Sequence, residues 1–185
     1  APGETLRYYY HENVYRPSAE SHTFQEISQM GLEMLGAVGE AQVQQAVRLA
    51  AQSLAQLGAA WVLEVSHMGY LFGLFDALGV PENARPGLLE KLREKNAHEL
   101  RRAAQAAGLD AAGAAALTGL LELSGSYAAT LSKAAALCRN PAMTAAVAEL
   151  TALAPTLGHA GGSIRLDLTL AGEMEYYNGL VFQGY

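Results

Sequence analysis

The sequence predicts an α/β fold of the α+β kind, in which an antiparallel sheet is flanked by helices and carries an α-helical insertion. Three observations predict it. Apolar and polar residues alternate with the period of a strand in three stretches, 5–16, 23–35 and 164–170. Apolar residues recur at helical spacing in 39–58, and a second helix is predicted over 69–78, ending at Gly79-Val80-Pro81. Residues 85–158 are rich in alanine and leucine and contain repeated helix-start signals.

These patterns divide the chain into a core fold and an insertion. We assign residues 1–80 and 159–185 to the core fold and residues 81–158 to a helical insertion. The insertion is predicted to contain five helices, 86–95, 97–107, 111–123, 127–138 and 141–157. Their predicted N-cap residues are Asn96, Asp110, Ser126 and Asn140.

Composition limits the classes of function. The 185 residues are 51% hydrophobic and 16% charged, which is typical of a folded domain. The net charge is −6 and the longest basic run is the pair Arg101-Arg102, which argues against a nucleic-acid-binding surface. No apolar run reaches the ~18 residues that a membrane span needs. A single cysteine, Cys138, excludes an internal disulfide and a cysteine-based zinc site, and with no signal peptide it predicts a cytoplasmic protein.

The first two strands are predicted to form an antiparallel hairpin around a polar turn. On the returning strand Gln29 and Glu33 point to one face, with Gly31 between them. A carboxamide and a carboxylate so placed can form the floor of a polar pocket for a cationic or amine-bearing ligand. The alternative is a solvated outer face of the sheet, and taken alone these residues favour that alternative.

Several side chains in the middle of the chain are interpreted as structural. Trp61 is expected in the core, and His67, at the end of a buried strand over 59–68, is expected to be a hydrogen-bonded structural histidine. The charged run from Glu90 to Lys95 is interpreted as a solvated helix face. Cys138 is interpreted as a small buried hydrophobe.

The last stretch, 163–185, contains two predicted strands. Four aliphatic residues from Ile164 to Leu170 alternate with Arg165, Asp167 and Thr169, which places these three on the other, unburied face. The second strand opens with Tyr176 and Tyr177, whose side chains point to opposite faces, so one can pack in the core while the other presents a hydroxyl to a cavity. Gly179 leaves room beside that hydroxyl for a ligand.

Three segments resemble one known family. YYNGLVFQGY resembles the YYTG-type histidine-pocket strand of the histidyl-tRNA synthetases and of their non-synthetase paralogues, the regulatory subunits of ATP phosphoribosyltransferase. FQEISQMGLEMLG resembles the second half of motif 2 in the same family, with its F-x-Q-x-G-V-E pattern. VLEVSHMGYLFGLFDALGVP resembles an L-E-L-G-H-V-G-L-L-R segment of the regulatory paralogues, with Gly73 in the arginine position. The synthetase motifs 1 and 3 are not seen.

The resemblance implies a class II aminoacyl-tRNA synthetase-like fold with a histidine-type amino-acid pocket. The implied pocket residues are Gln29, Glu33, Tyr176, Tyr177 and Gly179. Arg16 falls where the family places the motif 2 arginine that holds the α-phosphate of ATP, but the loop after it lacks the family's further arginines.

The residue that supports amino-acid activation is missing. The synthetases carry an arginine in an L-V-R-G-L-D-Y-Y pattern, and the matching position here is Gly172, followed by Glu173. No lysine or arginine occurs after Arg165, so a shift of the match by one residue does not restore the cation. Losing one donor that stabilises transition-state charge typically costs ~10²–10³ in rate.

We therefore expect a non-catalytic regulatory subunit of ATP phosphoribosyltransferase, which acts in histidine biosynthesis. It would need no cofactor and no metal, would bind a short-form catalytic subunit, and would form a homodimer within a hetero-oligomer. Two alternatives remain. The first is an active histidine–tRNA ligase that uses ATP, Mg²⁺ and tRNA. The second is a plain α/β scaffold with a solvated polar face, which burial of Gln29 and Glu33 would exclude.

Overall fold

The computed structural model describes residues 3–18, 23–58, 60–158, 163–171 and 177–185. Within these ranges the chain divides into two units, Ala1–Ala46 and Val47–Tyr185, and each is described by itself. Three positions singled out in the sequence, Gly172, Glu173 and Tyr176, lie outside the described residues.

The first unit is a long antiparallel hairpin. Strand β1, Thr5–Pro17, pairs with strand β2, Phe24–Gly36, from Thr5 opposite Gly36 to Pro17 opposite Phe24. The ladder runs through all 13 residues of each strand. Tyrosines, valine and isoleucine along both strands favour this extended pairing, and the predicted hairpin is confirmed.

Helix α1, Glu40–Gln56, begins in the first unit and ends in the second. Val47 and Ala51, one turn apart, are buried in the core of the second unit. Gly58 follows at φ +70°, a conformation that suits glycine just after a helix, as predicted.

A mixed four-stranded sheet lies at the centre of the second unit. Its strands are β3, Val62–His67, β4, Ser124–Ser126, β5, Ser163–Asp167, and β6, Leu180–Gly184, in the order β4-β5-β3-β6. Strands β3 and β5 are parallel, and the other two pairs are antiparallel. Leu63 and Val65 of β3 are fully buried, as expected for a strand with neighbours on both sides.

The described residues of the second unit also contain six further α-helices. They are α2, Met68–Ala77, α3, Arg85–Arg93, α4, Ala97–Ala106, α5, Ala111–Thr118, α6, Tyr127–Ala136, and α7, Pro141–Leu157. All five predicted helices of 85–158 are present. For the helix predicted over 111–123, only the predicted end is wrong. The α-helix ends at Thr118, and a short 3₁₀ segment, Gly119–Glu122, follows it.

Three of the four predicted N-caps are confirmed. The side chains of Asn96, Asp110 and Asn140 accept hydrogen bonds from the backbone N–H groups of Glu99, Gly113 and Met143 at 2.7–3.1 Å. The prediction for Ser126 is wrong, since its side chain makes no cap hydrogen bond. Ser126 ends strand β4, and its backbone is set by pairing with Arg165.

The hydrophobic core is built from the sheet and the helices of the second unit. Helix α2 packs against α7, and α3, α4 and α5 pack in succession. The predicted core position of Trp61 is confirmed, at 9% exposure. The hydroxyl of Tyr127 on α6 donates to the carbonyl of Leu150 on α7 at 2.8 Å. Tyr70 on α2 donates to Ala134, and burial raises the pKa of Tyr70 to about 12.

The sheet and the five helices of 85–158 fall in the same unit, Val47–Tyr185. The division into a core fold and an insertion stays a prediction. Among the helices of the described ranges, none is both long enough and apolar enough to cross a membrane.

Candidate functional site

The predicted pocket residues fall into two groups, one in each unit. Gln29, Glu33 and Arg16 lie on the hairpin, while Tyr177 and Gly179 precede strand β6.

The hairpin register places three predicted residues on one face. Directly opposed residues share a face, and Glu12 is opposite Gln29, Tyr10 opposite Gly31, and Tyr8 opposite Glu33. We call this the Gln29 face; it comprises the even-numbered residues of β1 and the odd-numbered residues of β2. Arg16 also lies on it, four residues beyond Glu12, which is about 13 Å along the strand.

Tyr10 fixes the side chain of Gln29. The Gln29 amide donates to the Tyr10 hydroxyl at 2.7 Å, and Gln29 is half-buried. The Tyr10 ring lies across Gly31, where a Cβ would overlap it. Gly31 therefore does not leave an empty pocket floor between Gln29 and Glu33. It makes space for the tyrosine that orients Gln29.

Sequence reasoning missed Tyr10. The strand register decides its position: pairing outward from the predicted strand ends would put Tyr10 opposite Gln29, whereas the observed ladder puts it opposite Gly31. An aromatic side chain opposite a glycine commonly covers it in an antiparallel pair.

Glu33 is exposed in the described residues, and so is Arg16. The neighbour of Glu33 across the ladder, Tyr8, is 51% exposed. The exposed carboxylate of Glu33, with Tyr8 as its cross-strand neighbour, presents acceptors suited to an amine or an imidazole N–H. Of the two residues whose burial would exclude the plain-scaffold alternative, only Gln29 is partly buried.

The carboxyl ends of β3 and β5 form a second polar region, which we call the strand-end cluster: Ser66, His67, Asp167 and Thr169. All four are at most 5% exposed. Apart from Thr130, they are the buried polar or charged residues of the described ranges. In open sheets with parallel strands, ligands commonly bind beyond the carboxyl ends of those strands.

His67 is a structural residue, as predicted. Its Nδ1 accepts a hydrogen bond from the N–H of Gly69 at 3.1 Å, which caps helix α2. The ring proton must then lie on Nε2, which donates to the carboxylate of Glu149 at 3.0 Å. Both ring nitrogens are used, so the imidazole has no position left for a ligand.

The prediction that Asp167 and Thr169 lie on an unburied face is wrong. Strand β5 ends at Asp167, and the chain then turns, with the N–H of Leu170 donating to the Asp167 carbonyl at 3.1 Å. The turn brings Thr169 inward, where its hydroxyl and N–H both donate to the Asp167 carboxylate, at 2.6 and 2.9 Å. The alternation stops with the strand, so it did not extend to these positions.

Lys95 is 55% exposed, in keeping with the predicted solvated face, but its ammonium also contacts a buried carboxylate. Its Nζ donates to Asp167 at 2.6 Å. Burial raises the pKa of the Asp167 carboxyl, but the hydrogen bonds from Lys95 and Thr169 outweigh it and hold that pKa below its ordinary value. Asp167 is therefore ionised at neutral pH and is fully engaged by its neighbours.

Gly179 lies beside this cluster. Gly179 precedes β6, and its carbonyl accepts a hydrogen bond from the N–H of Met68 at 2.8 Å, next to His67. A Cβ at position 179 would meet no described atom within 4 Å, so Gly179 borders open space, and its place in a ligand site stays a prediction. Tyr177 is 44% exposed.

In the described ranges, no group of three or more His, Cys, Asp or Glu side chains is arranged to hold a metal ion. Cys138 is half-buried, and its thiol lies 3.5 Å from the Ala134 carbonyl.

Known proteins match this chain over nearly its whole length. The model of a family described as Histidyl-tRNA synthetase matches residues 2–185. The ATP phosphoribosyltransferase regulatory subunit of Desulfitobacterium hafniense is 32% identical over 183 residues, covering 97% of this chain and 47% of that protein. The subunit of the same name from Bacillus licheniformis is 33% identical over 185 residues, again covering 97% and 47%. The chain spans about half the length of the curated relatives it matches.

Solved structures show the same likeness. A crystal structure described as an ATP phosphoribosyltransferase regulatory subunit/histidyl-tRNA synthetase from Bacillus halodurans superposes with a TM-score of 0.83 at 32% identity, over 97% of this chain and 48% of the other. Histidyl-tRNA synthetase from Nostoc superposes with a TM-score of 0.75 at 17% identity, over 97% and 43%, which shows likeness of fold alone. The predicted synthetase-like fold is confirmed.

Proposed function

The chain belongs to the histidyl-tRNA synthetase family, and on this premise we propose that it acts as a regulatory subunit of ATP phosphoribosyltransferase in histidine biosynthesis. In this role it binds an amino acid of the histidine type but does not activate it. The relatives at 32–33% identity carry this subunit's name.

One observation favours a regulatory subunit over an enzyme. Residues 166–185 contain no lysine or arginine, and Gly172-Glu173 stand where the synthetases place the activating arginine. Amino-acid activation develops negative charge on the reacting phosphate, which a carboxylate repels. Two cations distant in sequence contact this segment, and each already has a partner in it: Lys95 binds the Asp167 carboxylate, and Nε of Arg93 donates to the Ala171 carbonyl.

By resemblance to the family, the proposed amino-acid-binding residues are Gln29 and Glu33 of the first unit and Tyr176, Tyr177 and Gly179 of the second. Glu33 accepts hydrogen bonds from the ammonium or imidazole of the ligand, and Gln29 is held in place by Tyr10. The open space at Gly179 lets the ligand approach the backbone beside Tyr177.

A regulatory subunit acts through a catalytic one. We propose a short-form catalytic ATP phosphoribosyltransferase as the partner, and a homodimer of this protein within the hetero-oligomer. The proposal also includes a cytoplasmic location, no membrane, no nucleic-acid partner, no cofactor, no metal and no catalytic residue in this chain.

The first test is histidine-dependent ATP–pyrophosphate exchange with the full-length protein. We expect no exchange from folded protein, together with binding to the short catalytic subunit. Exchange well above a protein-free control would overturn the regulatory proposal and show that another residue supplies the missing cation.

The second test addresses the pocket. Glu33→Gln and Tyr177→Phe should each weaken the response of the reconstituted complex to histidine. Glu26→Gln is the matched control, because Glu26 lies on the same strand but on the opposite face. An unchanged response in both pocket variants would remove the histidine site from the proposal.

The alternative function is histidine–tRNA ligation, with ATP and Mg²⁺. The position of Arg16 on the Gln29 face favours this alternative. Arg16 lies about 13 Å along strand β1 from Glu12, the residue opposite Gln29, and its guanidinium could bind a phosphate of ATP. If the exchange assay is positive, Arg16→Ala should abolish that exchange, whereas it should leave histidine binding by a regulatory subunit unchanged.

A further inference from the structure

A cavity lies between helix α2, helix α7 and the 3₁₀ segment that follows helix α5. Its volume is about 180 Å³. Five residues that are at most 3% exposed form its floor: Tyr70, Leu74, Leu120, Leu123 and Met143. Protein interiors contain few voids larger than a water molecule, and an apolar cavity of about 150 Å³ can hold benzene. The space is therefore large enough for one ring-sized group.

The packing around the cavity keeps it open. The Asn140 amide donates to the carbonyl of Gly73 at 2.7 Å and so joins the start of α7 to α2. Gly73 permits this close approach, because a Cβ there would lie 2.9 Å from Cγ of Met143. The opposite wall carries the small residues Ala116 and Gly119, and a Cβ at position 119 would meet no described atom within 4 Å. One wall is thus fixed, and the other is too small to fill the space.

The floor of the cavity offers little to water. The Tyr70 hydroxyl donates to the carbonyl of Ala134 at 3.0 Å, so its proton is already used. The other four side chains of the floor are apolar. Apolar cavities of this size stay dry and take apolar ligands, because a water inside them finds too few hydrogen-bond partners.

The mouth of the cavity has a different character. It is lined by Leu137, which is 50% exposed, and by Arg139, which is also exposed. Arg139 is the one charged residue among the described residues that line the cavity, and it makes no hydrogen bond or ion pair with any of the chain that the structure describes. Burial raises the pKa of Tyr70 to about 12, and the positive charge of Arg139 opposes that rise. The guanidinium charge therefore reaches the cavity wall.

We propose that this cavity binds a small carboxylic acid that carries one ring-sized apolar group. The apolar group lies on the buried floor, and the guanidinium of Arg139 binds the carboxylate at the mouth, as guanidinium groups commonly do. The site shares no residue with the proposed histidine pocket. The inference therefore goes beyond the proposed function, and its failure would leave that function unchanged.

The first test is isothermal titration of the full-length protein with 3-phenylpropionate. We expect saturable binding with a Kd on the order of 0.1 mM. The uncharged analogue 3-phenylpropanol has the same ring and should bind about fivefold more weakly, because it lacks the charge that Arg139 attracts. Arg139→Gln should remove this preference for the acid. Arg101→Gln is the matched control, because Arg101 is exposed on helix α4 and lies outside the cavity.

The second test fills the cavity. Gly119 has a helical backbone, with φ −60° and ψ −20°, so Gly119→Leu is compatible with the fold and places its side chain in open space. It should abolish binding of both the acid and the alcohol. Gly87→Leu is the matched control, because a Cβ at position 87 also meets no described atom and Gly87 does not line this cavity. Circular dichroism of both variants checks that they are folded.

Each outcome supports or overturns the proposal. Equal affinity of the wild-type protein for acid and alcohol would overturn the carboxylate site, and wild-type binding by folded Gly119→Leu would overturn its location. If Gly119→Leu does not fold, Arg139→Gln decides, since an unchanged preference for the acid in that variant also overturns the proposal. Absence of saturable binding by both 3-phenylpropionate and 4-methylpentanoate would overturn it outright. If, in that case, Gly119→Leu weakens association with the catalytic subunit, the cavity is a protein contact instead.

Discussion

The two units of this chain are stabilised in different ways. Within the described ranges, every residue of the buried hydrophobic core lies in Val47–Tyr185. The hairpin instead carries most of the exposed large hydrophobic side chains, including Tyr9 at 88% and Met30 at 76% exposure. Its order comes from the backbone ladder and from polar pairs at the surface, such as Asn13 with Glu26 at 2.7 Å.

The comparison separates residues that determine the fold from residues available for binding. A two-stranded hairpin is at best marginally stable on its own in water. Its side chains therefore carry little of the folding free energy and can be chosen for recognition, as on the Gln29 face. The second unit has the opposite character, because even its polar strand-end cluster is buried and internally paired.

The largest predicted effect contrasts one leucine from each unit. Leu150→Ala, in helix α7, removes a fully buried side chain and should lower the free energy of unfolding by about 3 kcal/mol. Leu32→Ala, at 42% exposure on β2, should cost less than about 1 kcal/mol. Urea denaturation of the 185-residue chain measures both. Equal costs would break the comparison, since they would mean that the face carrying Leu32 is covered in solution.

The second prediction concerns the buried carboxylate. Asp167→Asn should lower the free energy of unfolding by roughly 2 kcal/mol at pH 7, below the range for fully buried pairs because Lys95 is 55% exposed. The folded-state pKa of Asp167 is lowered from 3.8, so the unfolded chain takes up the proton first as the pH falls. The stabilisation that ionised Asp167 gives the folded state is complete above about pH 5 and is lost progressively below about pH 4. Denaturation curves from pH 7 to pH 3 should show wild type and Asp167→Asn converging, and parallel curves would contradict this.

The third prediction compares two glycines. Gly31→Ala places a Cβ against the Tyr10 ring, which should displace it, break the bond to Gln29 and cost about 1 kcal/mol locally. Gly179→Ala meets open space and should change the free energy of unfolding by less than about 0.5 kcal/mol while weakening histidine binding. Hydrogen exchange of the β1–β2 amides and histidine titration distinguish the two. Unaltered exchange in Gly31→Ala would show that Tyr10 adapts without cost.

The smallest predicted effect is at a surface pair of the hairpin. Glu26→Ala removes an acceptor used by Asn13 and Tyr15, both exposed. We expect a change in the free energy of unfolding below about 0.5 kcal/mol, because water replaces these bonds. Glu94→Gln, at the exposed Lys91 pair, should be equally small in the second unit. A large effect of Glu26→Ala alone would show that cross-strand polar pairs, and not the ladder, hold the hairpin.

Local signals were sufficient for most elements. Helix starts depend on a side chain within three residues of the first turn, so Asn96, Asp110 and Asn140 were identified from the sequence. The hairpin followed from alternation over two long runs. Strand β4 was not predicted, since three residues are too few to show a period, and its pairing with β5 is set by tertiary context.

The site was harder to predict because its geometry depends on distant partners. Lys95 looked like a surface residue beside four other charged ones, and Asp167 lies 72 positions away. The parallel pairing of β3 with β5 joins segments separated by about 100 residues, so no local pattern places His67 and Asp167 at one sheet end. Gln29 and Glu33 were found through resemblance to a family motif, but the tyrosine that orients Gln29 required the hairpin register.

The position of Trp61 gives the second unit an optical signal of its own. It is the single tryptophan of these 185 residues, and it is buried in the core of the second unit. Its emission therefore reports on the environment of that core, whereas four tyrosines, at positions 8, 9, 10 and 15, lie on β1. During gradual denaturation, loss of the hairpin would change the far-ultraviolet dichroism before the tryptophan emission shifts to longer wavelength. The delay between the two signals would measure how independently the hairpin melts.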